Sequence, residues 1–136
     1  MATKIFVNMP VTDLERSKTF YQGLGFTVKP QFTDEKAACM EVSEHIYVML
    51  LTEAFFKGFT KKQVADATQS TEMILTIDTK SKDEVLQTVA KALELGGSVY
   101  REPDDHGWMY QHSFADPDGH QWELVFMDEA NIPSFN

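Results

Sequence analysis

The chain has one cysteine, Cys39, among its 136 residues. A single thiol excludes an internal disulfide and fits a reducing compartment. Its apolar surroundings make it read as a small buried hydrophobe rather than a reactive group. Cations are also scarce: 12 Lys and Arg stand against 21 Asp and Glu, for a formal net charge of −9. Nucleic acid and anionic membrane surfaces both require clustered positive charge. The nearest cluster, Lys57, Lys61 and Lys62, reads as a solvated helix face, so no nucleic-acid and no membrane partner is expected. No apolar run approaches the ~20 residues of a membrane span. Met1-Ala2-Thr3-Lys4, ahead of a short strand, lacks the apolar segment of a secretory leader, and a cytoplasmic location is expected. Gly (7) and Pro (5) are not enriched, which excludes collagen-like and low-complexity classes. What is present, 43% hydrophobic and 24% charged residues, suits one domain over 1–136 with a normal core.

The most informative stretch runs from Phe114 to Phe126. It reads as two strands joined by an Asp116-Pro117-Asp118-Gly119 turn, in which Pro pre-sets φ, Gly accepts positive φ and the aspartates bond nearby backbone N–H groups. Trp122, Leu124 and Phe126 alternate with Gln121, Glu123 and Val125. Glu123 therefore stands mid-strand, on the face opposite three large apolar residues. A carboxylate there sees solvent, lines a cavity or has a partner, because burying it alone is costly.

The remainder reads as two copies of one plan. Ile5, Val7 and Met9 alternate with Phe6 and Asn8. Thr12 and Glu15 suggest a capping box, Leu14, Phe20, Tyr21 and Leu24 a helical stripe, and Gly23 or Gly25 a stop. Strands are predicted at Phe26–Phe32, Ala37–Val42 and Ile46–Leu51, the last two joined at Ser43-Glu44-His45. In the second copy Met73, Leu75 and Ile77 alternate with Glu72, Ile74 and Thr76. Ser81 and Glu84 suggest the cap, Val85, Leu86, Val89, Ala90 and Leu93 the stripe, and Gly96-Gly97 the stop. Strands follow at Ser98–Glu102, Met109–Phe114 and Gln121–Phe126. Recurrence of cap, stripe, glycine and hairpin in one order marks a repeated β-α-β-β-β unit. The first module spans about 1–53, a linker 54–70, the second module 71–127 and a tail 128–136. In the linker, Thr60 and Gln63 suggest a short helix through Ala67, and Phe55, Phe56 and Phe59 are expected to bury against the domain or a partner subunit.

With this repeat, Val11-Thr-Asp-Leu-Glu-Arg-Ser-Lys-Thr-Phe-Tyr21, Gly23-Leu-Gly25 and Asp116-Pro-Asp-Gly-His-Gln-Trp-Glu123 together resemble the vicinal oxygen chelate superfamily. That is the group of glyoxalase I, bleomycin-resistance proteins, fosfomycin-resistance enzymes and extradiol dioxygenases. The resemblance implies an α+β fold in which paired βαβββ modules form a curled eight-stranded mixed sheet, a cup with helices outside, and it implies a homodimer. Metal-using members hold a divalent ion at four strand positions, which fall here on Phe6, Leu50 (or Val48), Glu72 and Glu123. Two of these cannot ligate, and the first-strand His is absent from both modules, so no metal and no other cofactor is expected. His45 and His120 fall at hairpin tips, His106 in a polar loop, and His112 on the face of Phe114.

Strand parity turns Phe6, Asn8, Glu72, Thr76, Gln121 and Glu123 toward the cup, with Gln111 and Ser113 if Phe114 packs beside Trp122. Glu72 and Glu123 in one hollow would raise at least one pKa. Trp108 and Tyr110, next to Gly107, either stack on a flat ligand at the mouth or cover a helix or dimer seam. Two functions follow. The first is metal-free binding of a small organic molecule, uncharged or cationic, contacted by Phe6, Asn8, Leu50, Thr76, Trp108, Gln111, Ser113 and Gln121. The alternative is a lyase or isomerase resembling lactoylglutathione lyase, with Glu123 as base and Glu72 as its partner, although the superfamily reaction relies on a metal to polarise substrate oxygens.

Overall fold

A computed structural model describes residues 1–134. The chain divides into two compact units, Met1–Asp66 and the residues from Ala67 on. The first contains β1 (Ile5–Val11), α1 (Leu14–Gly23), β2 (Thr27–Val28), β3 (Ala37–Ser43), β4 (Ile46–Thr52) and α2 (Glu53–Phe56). The second contains β5 (Leu75–Asp78), α3 (Lys82–Glu94), β6 (Asp104–Asp105), β7 (Met109–Ala115) and β8 (Gln121–Met127). Each unit builds one four-stranded mixed sheet, in the orders β1-β4-β3-β2 and β5-β8-β7-β6. The outer pairs β1/β4 and β5/β8 run parallel and the others antiparallel. Each copy of the repeated module thus builds its own four-stranded sheet, eight strands in all among the described residues.

Local chemistry explains both helices. The α1 cap is Asp13, whose carboxylate accepts from Arg16 N at 3.1 Å. The predicted cap, Thr12, instead accepts from the Arg16 guanidinium at 2.9 Å. Ser81 caps α3 as predicted, accepting from Glu84 N at 3.0 Å, but the Glu84 carboxylate reaches back to Lys80 N (2.8 Å) rather than to Ser81 N. Both helices end in the same way. Gly25 and Gly96 take positive φ (104° and 97°). Gly25 N bonds Gln22 O and Phe26 N bonds Tyr21 O, while Gly96 N bonds Leu93 O and Gly97 N bonds Ala92 O. This is the Schellman closure that a residue without Cβ permits.

Each helix covers one sheet face. Phe20 and Tyr21 of α1 are buried with Met9, Val11, Val48 and Leu50 in the first unit, and Val85, Val89 and Ala92 of α3 with Phe114, Trp122 and Leu124 in the second. The stripe expected on α3 is rotated: Leu86, Ala90 and Leu93 are exposed, and the buried line runs through Ala92 instead. Positions 85, 89 and 92 follow one another at helical spacing, and 86, 90 and 93 lie one step of ~100° round. Cys39 is 1% exposed, and burial pushes its thiol above the ordinary range, with Lys29 partly offsetting and Glu41 adding.

Other expectations are corrected. Phe26–Phe32 contributes only β2, because Pro30 opens a 3₁₀ turn over Pro30–Phe32. No helix forms over 60–67: Thr60 Oγ1 accepts from Lys62 N, closing a tight turn in place of a cap. Phe55 and Phe59 meet edge-to-face with centroids 5.1 Å apart, and Phe59 is 70% exposed within the single chain. The strand expected at Ser98–Glu102 is reduced to a single bridge from Ser98 to Ala115, and pairing resumes only at β6. Pro103 lacks the N–H that a continuous ladder needs. In the tail, Glu129–Asn131 forms a 3₁₀ turn, and residues 135 and 136 lie outside the described part of the chain.

Candidate functional site

The turn before β8 sets the site. Asp116 Oδ1 accepts from Asp118 N (3.0 Å) and His120 N (2.9 Å), and Gly119 N donates to Asp116 O at 2.9 Å. Gly119 has φ of 91°. The β7/β8 hairpin emerges without a bulge, so Phe114 pairs with Trp122 and Ser113 with Glu123. The two rings lie nearly parallel, 6.1 Å apart, and are buried. On the other neighbour Thr76 pairs with Glu123. Glu123 is therefore flanked across the sheet by hydroxyl residues on both sides, with Gln111 on the diagonal and Gln121 on the same face.

Its carboxylate side chain is only 16% exposed. Thr76 Oγ1 donates to Oε2 at 3.2 Å and Gln111 Nε2 to the same oxygen at 3.5 Å, while Arg101 Nη1 stands 3.5 Å from Oε1. A second Arg101 nitrogen binds Asp104. Arg101, Asp104, Gln111 and Glu123, with Glu102, His112 and Ser113, line a shallow cleft. The Tyr100 hydroxyl donates to the Trp122 carbonyl at 3.1 Å. Burial raises that phenol above its ordinary value. Ser113 itself is 1% exposed, and its Oγ finds no hydrogen-bond partner in acceptable geometry.

The break in the edge strand brings Arg101 here. Between the Ser98 bridge and β6 the backbone is free of the ladder, and its side chains turn onto β8. Arg101, Asp104 and Tyr100 were not expected at the site. The signal for them is Pro103, which forbids continuous pairing through that stretch.

The anticipated residues divide. Thr76, Gln111, Ser113, Gln121 and Glu123 share one face. Glu72 does not join them: it is exposed and lies ahead of β5, so the charge facing Glu123 is a guanidinium, not a second acid. In the first unit Phe6 and Asn8 occupy the face away from α1, where Phe6 stacks on Tyr47 at 4.9 Å. Leu50 is on the opposite face. It pairs with buried Met9 and is 0% exposed, in the core with Val48, so the face of β4 shared with Phe6 carries Tyr47 (7% exposed, beneath the Phe6 ring) and Met49 instead. Trp108 sits at the β6–β7 turn, its carbonyl bonded to Asp128 N. That is roughly 16 Å from Ser113 along the strand at ~3.3 Å per residue. Tyr110 is buried with the Lys82 ammonium 4.6 Å from its ring centre, so it covers the start of α3.

His112 pairs with Leu124, away from Glu123, and its buried Nδ1 has no partner. Burial holds its pKa below the ordinary 6.5, with Glu102 partly opposing. The sign follows: the unfolded chain takes up the proton first, so the fold loses stability as pH falls below about 6.5. Thermal melts from pH 7.5 to 5.0 are expected to show a decline that is shallower in His112→Gln; equal slopes refute the assignment.

The chain can now be set beside known proteins. Residues 3–43 match the family of bleomycin resistance protein-like N-terminal regions. No curated protein matches significantly. Among solved structures, hypothetical protein SA1046 from S. aureus is 28% identical over 93% of this chain and 94% of that one, with a TM-score of 0.78. A glyoxalase-related enzyme from Fulvimarina pelagi is 21% identical (93% and 88% covered, TM-score 0.78). TnmS3, an antibiotic binding protein from Streptomyces sp. CB03234, is 20% identical (93% and 97% covered, TM-score 0.66). The last two speak for the fold alone, which is that of the glyoxalase/bleomycin resistance proteins. With the match over the first module, this is the fold that the resemblance to the vicinal oxygen chelate superfamily implies.

The residues at that superfamily's metal positions do not fit a divalent ion. Phe6 and Leu50 offer no donor atom, Glu72 is exposed ahead of its strand, and Glu123 faces Arg101. Among the described residues no group of three or more His, Cys, Asp or Glu is placed to hold one. Nor is any helix there long and apolar enough to cross a membrane.

Proposed function

We propose that the protein binds a small organic molecule without a metal, at the Glu123 face of the second unit. The observation that carries this reading is the pairing of Glu123 with hydroxyl and amide donors beside a buried, unpartnered Ser113 hydroxyl. Convergent polar groups on an apolar scaffold are the usual make-up of a small-molecule site. Phe6 and Asn8, on the open face of the other sheet, offer an aromatic and an amide contact of the same kind. A homodimer, as the superfamily resemblance implies, and a cytoplasmic location, which the lone buried thiol supports, belong to the same proposal.

Catalysis by Glu123 as a lyase base is the weaker reading. Thr76, Gln111 and Arg101 already occupy its oxygens, and Glu72, the acid expected as its partner, lies ahead of β5. The test is a thermal-shift screen of small organic cations, neutral aromatics and antibiotics against the wild type and Glu123→Gln. Hits that raise the melting temperature of the wild type and are lost in the variant are expected; a screen without hits overturns the proposal. Metal-dependent turnover of the methylglyoxal–glutathione adduct, abolished by Glu123→Gln, restores the lyase reading.

A further inference from the structure

The charges around Glu123 are unbalanced. Glu102, Asp104 and Glu123 line the cleft with one guanidinium, that of Arg101. Arg101 spans two of these acids, binding Asp104 through one nitrogen and approaching Glu123 with another. It does so from a segment without ladder bonds, and its side chain is 48% exposed. The carboxylate it faces is fixed from the sheet by Thr76 and Gln111. The acid is thus held rigidly, and the cation is held only by its own ion pairs.

From this we infer that the site takes an organic cation, a molecule carrying a guanidinium or amidinium group, and that Arg101 is the internal occupant it displaces. The inference rests on the binding proposed above and names its chemical class. Two independent features support it. The first is that a planar, multiply donating cation already fits between Glu123 and Asp104, so the geometry for one is built. The second is Ser113, buried to within 1% and unbonded at Oγ, which lines the same cleft and supplies an acceptor for a further N–H. With Arg101 in place the cleft is filled, so a guest enters only as that side chain leaves. Displacement lets Arg101 swing into water, where its ion pairs, being partly exposed, are weak. The incoming cation then meets three carboxylates with no competing positive charge.

The experiment is an NMR titration with n-butylguanidinium and with n-butylurea, its neutral isostere, followed at the amides of Thr76, Gln111 and Ser113. Butylguanidinium is expected to shift these signals and butylurea to leave them unmoved. Arg101→Ala removes the internal competitor and is expected to tighten butylguanidinium binding about tenfold, whereas Arg101→Lys, which keeps a cation, does not. Glu123→Gln in the Arg101→Ala background is expected to abolish it. Arg101→Gln serves in the same role if Arg101→Ala does not give a dispersed spectrum. Equal binding of the urea, or no tightening on removing Arg101, overturns the inference. Neutral hits in the thermal-shift screen with no butylguanidinium binding also overturn it but leave the binding proposal standing; no binding of any kind removes both.

Discussion

Leu50→Ala is expected to lower the unfolding free energy by about 2–5 kcal/mol, the range for deleting a buried Leu side chain and leaving a cavity. Leu50 is 0% exposed and pairs with Met9, itself 5% exposed, on the face that α1 covers. It is buried with Met9, Val48, Phe20 and Tyr21, so the void cannot close without moving the helix above it. Denaturant unfolding at constant m-value measures the loss. The experiment also separates two readings of the position: a residue lining a ligand surface tolerates truncation within about 0.5 kcal/mol. A near-neutral result therefore refutes the register by which β1 and β4 are joined, and with it the assignment of Tyr47 and Met49 to the face shared with Phe6.

Gly119→Ala is the second large effect. Gly119 has φ of 91°, outside the range that L-residues adopt without strain. A Cβ there stands 2.7 Å from Ala67 O, 2.8 Å from Ala67 C and 2.9 Å from Thr68 N. These are backbone atoms, which cannot rotate aside as a side-chain tip does. The left-handed conformation alone costs about 1–2 kcal/mol, and relieving the clash adds to it, for an expected loss of about 3 kcal/mol or more. Gly96→Ala is the matched control: its φ is 97°, but nothing lies within 4 Å of the added carbon. It is expected to lose only the conformational part. Equal losses in thermal or urea melts refute the close approach of 67–68 to the turn.

The comparison of sequence and structure turns on which signals were local. The caps at Ser81, the stops at Gly25 and Gly96 and the Asp116–Gly119 turn each depend on a few neighbouring residues, and each forms as expected. Parity placed Gln111, Ser113 and Glu123 on one face, because the hairpin has no bulge and Ser113 meets Glu123. The failures needed information from a distance. Glu72 has strand parity in sequence, yet β5 starts only at Leu75, where pairing with Trp122 begins. Leu50 was placed by likeness to a superfamily position, while its face is set by a parallel neighbour far away in sequence. Arg101 was invisible because its role arises from a strand that does not form, and a missing ladder leaves no periodic trace. Rotation of the α3 stripe from Leu93 to Ala92 has a similar origin: the apolar line exceeds one face, and the sheet beneath selects which part is covered.

Ser113 has a thermodynamic corollary. A hydroxyl kept dry and unbonded costs about 1–3 kcal/mol relative to an apolar atom of similar shape. Exchanging its oxygen for hydrogen would relieve that cost and leave only a small void. The second unit alone is thus less stable than so small a chemical change would make it, and the deficit lies at one point on the cleft wall. A guest presenting an N–H at that point recovers part of the difference as affinity, so the same atom that weakens the isolated fold favours its complex.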